Sequence, residues 1–245
     1  MKDNDLPFVG LHAHSTFSLN DGFGYPQEHQ EYAYGNGMSA LALTDHGTCA
    51  GLSYAILNAK KMREEGKEFK AILGVEAYFI PDVVEWREIY EEIKQDKKSA
   101  RALKKRESTT VAETDGSSRE GSTATLPRYA HLILFAQSQI GLNNIYSIVS
   151  ESHDEKHFYR RPRVDFNLLR KYNEGVICAT ACLGGIVGRE LYSGRDAGLN
   201  EEEIYQNALV KLKTFADIYG DRFYGELQWN SVPEQHIVNK MVIRA

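Results

Sequence analysis

Several side chains able to ligate metals stand at the ends of apolar runs, and that placement limits the possible folds more than any other feature of the chain. His12-Ala13-His14-Ser15 follows the run 8–11, with Asp21 shortly after. Thr44-Asp45-His46 closes the run 40–43, Glu76 ends 71–75, and Cys182 ends 176–181. His131 opens the run 132–135 instead of ending one, so spacing alone ranks it lower. In an alternating β/α chain the same ends of parallel strands converge. A site assembled from several strand ends marks a barrel-type active site.

The rest of the pattern agrees with repeated β then α units. Strands are predicted over 8–12, 41–44, 72–79, 131–136, 175–181 and 223–227, and the first and fifth are apolar enough to be buried on both faces of a parallel sheet. Helices are predicted over 26–34, with a proline in the first turn, 52–63, 140–150, 200–219 and 233–244. Asn200 and Glu203 form a capping-box start ahead of the stripe Ile204, Ala208, Leu212 and Phe215. Residues 82–127 interrupt the alternation. The part over 82–106 is highly charged and reads as an exposed helix or helical hairpin. The part over 108–125 has hardly any apolar residue and reads as a mobile loop. Arg101, Lys104, Lys105 and Arg106 read as a solvated face more readily than as a DNA contact. No internal repeat is visible.

Composition narrows the function classes. No apolar run is long enough to span a bilayer, and the first residues lack a signal peptide's apolar core, so no membrane partner is expected. Three cysteines without paired spacing do not make a disulfide framework, and a reducing, cytoplasmic setting is expected. A net charge of −5 argues against a chain held on DNA by bulk electrostatics. It does not exclude phosphoester chemistry, because bound metals reverse the local sign.

The ligand types fit that chemistry. His12 and His14, two apart on a strand, project to one side and can chelate one ion. His46, Glu76 and Cys182 come from other strand ends, and Asp21 can bend back from its loop. Each alone would read as an ordinary structural residue, Cys182 as a small buried hydrophobe; their shared placement lifts them together. Asp45 reads as a helix cap or as a support orienting His46. So many donors exceed the four that a closed structural zinc needs, which points to more than one ion, with Glu76 as the bridging carboxylate. Cys49 and Cys178 read as structural, and His29, His153, His157 and His236 as surface residues. In Tyr159-Arg160-Arg161-Pro162-Arg163, the arginines read equally as a phosphate-binding group, Arg161 and Arg163, or as a solvated basic loop, with Arg163 slightly preferred because Val164-Asp165 enters a helix.

At this point the motifs resemble a known family. His12-Ala13-His14-Ser15 with Asp21-Gly22, Leu43-Thr44-Asp45-His46-Gly47 and Gly74-Val75-Glu76 are similar to the first motifs of the PHP (polymerase and histidinol phosphatase) domain. Further along, His131-Leu132-Ile133-Leu134, Arg161-Pro162-Arg163-Val164-Asp165, Ala181-Cys182-Leu183-Gly184-Gly185 and Glu226-Leu227-Gln228 with Pro233-Glu234-Gln235 resemble the N-terminal PHP domain of bacterial replicative DNA polymerase III alpha subunits. The resemblance implies an α/β fold, a distorted (β/α)7 barrel whose last strand is missing from this chain. It implies one PHP domain over 1–245, incomplete at the C-terminus, with 82–127 a charged, partly disordered insertion. It implies two or three divalent ions (zinc, manganese or iron) held by His12, His14, Asp21, His46, Glu76, His131 and Cys182, which raises His131. The catalytic group would be Glu76, His12, His14 and Asp21.

The family's final Asp-x-His motif and the polymerase palm are not in this chain, so a fragment, or the product of a split or interrupted gene, is expected. The implied activity is metal-dependent 3′–5′ exonuclease hydrolysis at a primer end, with the rest of the alpha chain, DNA and other replisome subunits as partners. Two other readings stand beside it. One is a structural or partner-binding module, disfavoured because every visible ligand position is filled. The other is a histidinol-phosphatase-like small-molecule enzyme, disfavoured by the polymerase-like motifs after residue 131.

Overall fold

A computed structural model describes residues 8–19, 21–107 and 129–245. In chain order the elements are α1 (Pro26–Gly35), β1 (Ala40–Leu43), α2 (Leu52–Glu64), β2 (Lys70–Phe79), α3 (Val83–Glu107), β3 (Ala130–Ala136) and α4 (Gln139–Ser152). They continue with β4 (Phe158–Tyr159), β5 (Arg161–Val164), α5 (Phe166–Lys171), β6 (Val176–Ala179), α6 (Ile186–Asp196), α7 (Glu201–Tyr219), β7 (Phe223–Tyr224) and α8 (Pro233–Arg244). The strands form one sheet in the order β4-β5-β2-β3-β6-β7, with β1 also on β2.

The α/β class expected from the alternation holds, but the sheet is mixed. β1 and β5 run parallel to the long strand β2, and β7 runs parallel to β6. β3 runs antiparallel to both its neighbours, β2 and β6. Periodicity could not foresee this, since a strand reads the same in either direction. Among the described residues the sheet curls without closing, and a cavity of about 690 Å³ opens inside the curve, lined in part by Leu11, Ile72, Phe135, Ile177, Ala179 and Tyr224.

Alternation along β2 divides its side chains between two environments. Val75, Ala77 and Phe79 join Leu132, Leu134, Leu168, Leu169, Phe215 and Tyr219 in the main core, under the helices. Fully burying each large apolar side chain there contributes about 1.5–3 kcal/mol. Glu76, on the other face, points inside the curve. The inner layer uses small and branched residues, Ala42, Ile133, Ala179 and Ala181, with Phe135.

Local signals account for most of the elements. Asn200 caps α7, its Oδ1 accepting from the Glu202 and Glu203 N–H groups at 3.0 Å while its own N–H donates to Glu203 at 2.9 Å. Asp165 caps α5 through the Leu168 N–H and also accepts from the Val83 N–H, tying the start of α3 to it.

Four expectations need correction. The segment 8–12 is not a ladder strand: its link to β1 is a single bridge from Gly10 to Leu41. It is not buried on both faces either, since Phe8 is 68% and Leu11 52% exposed, with a neighbour on one side only among the described residues. The charged stretch after residue 82 is one long helix, and its first turns are not solvated, because Val83, Trp86 and Ile93 are buried. The strand expected over 223–227 is cut to two residues, and the helix α6 and the β4–β5 hairpin were not foreseen from the pattern. His157 is buried rather than on the surface, paired to Asp154 at 2.9 Å. The mobile loop expected over 108–125 and the side chains of Arg101, Lys104, Lys105 and Arg106 lie outside what the structure describes.

Candidate metal centre

The C-terminal ends of β1 and β2 form one rim of the curled sheet, and Glu76 is buried just inside it, 1% exposed. Four histidines face its two carboxylate oxygens. Oε1 has His131 Nδ1 at 2.8 Å and His12 Nε2 at 3.5 Å. Oε2 has His46 Nδ1 at 2.9 Å and His14 Nε2 at 3.1 Å. Cys182 Sγ stands 3.9 Å from Oε1 and 3.7 Å from His131 Nδ1. Asp21 reaches in from the loop after His14, its Oδ2 2.7 Å from His46 Nε2. All seven predicted ligands therefore meet at one place.

His131 belongs there because of the reversed strand. β3 starts where its parallel neighbours end: His131 pairs with Tyr78 near the C-terminal end of β2. A ligand that opens its run in an antiparallel strand occupies the same rim as ligands that end theirs in parallel ones.

The ligands are held from behind. His12 donates from Nδ1 to Glu226 Oε1, 2.8 Å away, which leaves Nε2 turned inward. His14 is held at Nδ1 by Ser18 Oγ at 3.2 Å, and its Nε2 also turns inward. Asp45, 1% exposed, does not touch the His46 ring; it accepts from the Ser15 N–H at 2.6 Å, the Ser15 hydroxyl at 2.8 Å and the Ser18 hydroxyl at 3.0 Å. Its support thus reaches His14 through Ser18, which also accepts from the His46 N–H at 2.9 Å. Gly22 must be glycine, because a Cβ there would lie 1.7 Å from the Ser15 carbonyl oxygen. Ala181 takes a left-handed conformation, φ 61°, at a cost of about 1–2 kcal/mol for a residue with a Cβ, and this sharp turn precedes Cys182.

The charges are balanced within the cluster. Burial pushes the Glu76 carboxyl up, but His12, His131, His14 and His46 overcome it and hold the group well below the usual carboxylate range. Burial pulls His12 down, and Glu226 and Glu76 outweigh it, raising the imidazole to about 10. His46 is raised in the same way, chiefly by Glu76 and Asp21 against burial. Burial and the Glu76 charge push the Cys182 thiol up to about 11. These groups together compensate a concentrated negative centre with protons, and a cation would do the same.

Donor geometry meets that requirement. Three overlapping sets, His12–His14–Glu76, His14–Asp21–His46 and His46–Glu76–His131, each bring their ligand atoms within 4.8 Å of one another. His46 Nδ1 and Glu76 Oε2 are buried and face each other at 2.9 Å, yet among the described residues neither has a hydrogen-bonding partner of acceptable geometry, a position where a shared cation could replace the proton. Imidazole and carboxylate donors in this mixture suit divalent zinc, manganese and iron.

The arginines separate. Arg161 is exposed at the rim, its guanidinium 5.4 Å from the centre of the Tyr78 ring, which stacks on His46. Arg163 is 2% exposed and lies 3.8 Å over the Trp86 ring, hydrogen-bonded to the His157 carbonyl. Burial, with Arg87 nearby, lowers its guanidinium to about 10. Buried under the Trp86 ring, Arg163 is neither open to a phosphate nor part of a solvated loop, so the slight preference for it is reversed in favour of Arg161. Glu226 joins the cluster through His12, and sequence reasoning quoted it within a motif without giving it a role. Its signal was available: a carboxylate near the end of the predicted sixth strand, as Glu76 ends the third.

A chain with this sheet and this ring of histidines around one buried glutamate belongs to the PHP family: the profile described as PHP domain matches residues 10–230. Within that family its curated relatives are DNA polymerase III alpha subunits. The protein from Aquifex aeolicus is 34% identical over 237 residues, covering 96% of this chain and 17% of the relative. That from Borreliella burgdorferi is 32% identical, covering 97% and 16%. The chain thus spans about a sixth of the length of the relatives it matches. Among solved structures, a chain from Bifidobacterium adolescentis whose description names a metal-dependent phosphoesterase aligns over 98% of this chain and 84% of that one, with a TM-score of 0.49 and 12% identity. That is too distant to carry an argument.

Proposed function

We propose that this chain is the phosphoester-hydrolysing part of a bacterial replicative polymerase alpha subunit, and that it removes nucleotides from the 3′ end of a primer. The observation that carries the proposal is the convergence of four histidine nitrogens on the two oxygens of Glu76. The ligands would be His12, His14, Asp21, His46, Glu76, His131 and Cys182, taking two or three ions of zinc, manganese or iron. Such ions polarise the phosphoryl oxygens and neutralise the charge that grows in the transition state.

The protein's own groups do the positioning. Glu226 and Ser18 hold His12 and His14 at Nδ1 so that both Nε2 atoms face the centre. Glu76 spans two sub-sites, one oxygen toward His12 and His131 and the other toward His14 and His46. Arg161, exposed on Tyr78, receives a substrate phosphate at the rim. DNA, the remainder of an alpha chain and other replisome subunits are the partners this reading requires, in the cytoplasm.

The test is elemental analysis of protein purified without chelator, followed by hydrolysis of a 3′-labelled strand beside a His12→Ala control. Two or three equivalents of metal and a His12-dependent activity are expected. Metal-free protein that stays inactive when zinc, manganese or iron is supplied overturns the proposal.

A further inference from the structure

Two aromatic rings stand beside the metal centre almost wholly in solvent: Phe23 is 91% exposed and Trp229 is 87% exposed. Neither sits on a loose loop. Phe23 lies two residues beyond Asp21, and its carbonyl accepts from His29 Nε2 at 2.5 Å. The Thr16 N–H closes the same loop onto the Gly24 carbonyl at 2.8 Å, and Gly22 is packed against Ser15. Trp229 follows Gln228. Asn239 grips the Gln228 backbone from both sides, accepting from its N–H at 3.3 Å and donating to its carbonyl at 2.8 Å. The Gln228 amide also reaches Glu226 at 2.8 Å and His12 at 3.3 Å.

The two rings approach the centre through different ligands, Phe23 through Asp21 and His46, Trp229 through Gln228 and His12. Fixed backbones thus hold two solvent-exposed rings, one two residues along the chain from Asp21 and the other next to Gln228, whose amide reaches His12. A pinned aromatic that stands almost wholly in solvent suits a flat partner that brings its own π-face. Nucleobases are such partners, and stacking on aromatics is how strands are gripped without reading their sequence. The net charge of −5 makes this more pointed, because this chain has little bulk positive charge with which to hold a phosphate backbone.

We propose that Phe23 and Trp229 are base-stacking platforms that hold the unpaired end of a nucleic-acid strand near the candidate metal centre. The proposal rests on the phosphoester reading above. It adds two residues that contact the substrate.

The chain has two tryptophans, and Trp86 is only 6% exposed, so quenching of emission by added ligand reports on Trp229. Metal-stripped protein is titrated with a single-stranded oligothymidylate, with the same oligomer annealed into a duplex, and with an abasic strand of equal length and charge. The oligothymidylate is expected to quench, and to bind about 5- to 100-fold more tightly than the abasic strand. Phe23→Ala should weaken oligothymidylate binding by a similar factor, and Trp229→Phe should retain most of the affinity that Trp229→Ala loses. Equal affinity for the thymidylate and abasic strands, or preference for the duplex, overturns the proposal. So does emission that no nucleic acid changes, the result expected if the rings meet another protein. Hydrolysis of bis(p-nitrophenyl) phosphate by the unaltered, metal-loaded protein is measured separately. Its absence would remove the phosphoester reading while leaving the stacking result to stand or fall on the titration.

Discussion

Asp45→Asn should damage both the fold and the metal centre, although Asp45 touches no ligand ring. The carboxylate is buried and accepts three hydrogen bonds, from the Ser15 N–H, the Ser15 hydroxyl and the Ser18 hydroxyl. Hydrogen bonds to a charged buried group contribute about 1.5–3 kcal/mol each. Asparagine keeps the shape and one acceptor oxygen but loses the charge and turns the other position into a donor. Roughly half the interaction is lost, so the expected destabilisation is about 2–4 kcal/mol. In a domain of this size that lowers Tm by roughly 5–15 °C. Because Ser18 links Asp45 to His14 Nδ1 and to the His46 N–H, metal affinity should fall by about 10- to 100-fold as well, as it does when supports behind a ligand are removed. The assay is thermal unfolding in chelator, paired with competition for zinc against a fluorescent indicator. Ser18→Ala spares both Ser15 bonds and removes one bond to the charged Asp45, so it should cost about 1.5–3 kcal/mol while losing a similar share of metal affinity. If Asp45→Asn unfolds at the unaltered protein's Tm and binds metal equally well, the three-bond support does not exist as described.

Three further outcomes are expected. Glu226→Gln leaves His12 without its carboxylate, so zinc affinity should drop about tenfold by the same competition assay; unchanged affinity would remove Glu226 from the site. For metal-free protein the sign of the pH dependence follows from His12, whose folded pKa, about 10, lies above its ordinary 6.5. Its contribution is present below pH 6.5 and lost as pH rises toward 10, so Tm in chelator should fall across that window, whereas saturating metal should flatten the curve; a Tm that rises there refutes the assignment. Arg163→Met replaces a buried cation whose two terminal nitrogens have no hydrogen-bond partner among the described residues, which offsets the loss of its Nε bond to the His157 carbonyl and of its stacking on Trp86, so thermal unfolding should show a loss below about 3 kcal/mol; a larger fall would mean the cation is paired.

Much of the site was readable because its residues are chemically conspicuous and share a rule of placement. His12, His14, His46, Glu76 and Cys182 end apolar runs, and strand ends converge in any α/β sheet. What escaped was set by long-range pairing. His131 looked displaced until β3 proved to run backwards, a fact held in hydrogen-bond partners and not in its own residues. Asp45 looked like a support for the next residue, but its oxygens turn to Ser15 and Ser18 some 30 positions earlier. Glu226 is 214 positions from His12, so its place near the end of the predicted sixth strand was the one signal in the sequence, and the pairing itself was not legible. Arg161 and Arg163 are alike in sequence and opposite in role, because α3 lays Trp86 over one and leaves the other at the rim. The helix α6 escaped because its run, with glycines at 188 and 194, has weak propensity; those glycines are instead required by close packing on Leu183 and Ile204.

The reversed strand β3 also decides where this architecture can grow. A crossover between parallel strands must travel the height of the sheet and return, which fixes its minimum length. The link from Phe79 to Ala130 leaves and re-enters at the same rim, so it has no distance to cover. Lengthening such a loop adds little closure entropy, about 0.6 kcal/mol for each doubling. The doorway of the metal centre is therefore the place where extra chain can be added, trimmed or exchanged without re-registering a single strand. Variation there would alter what reaches the metals and leave the ligands in place.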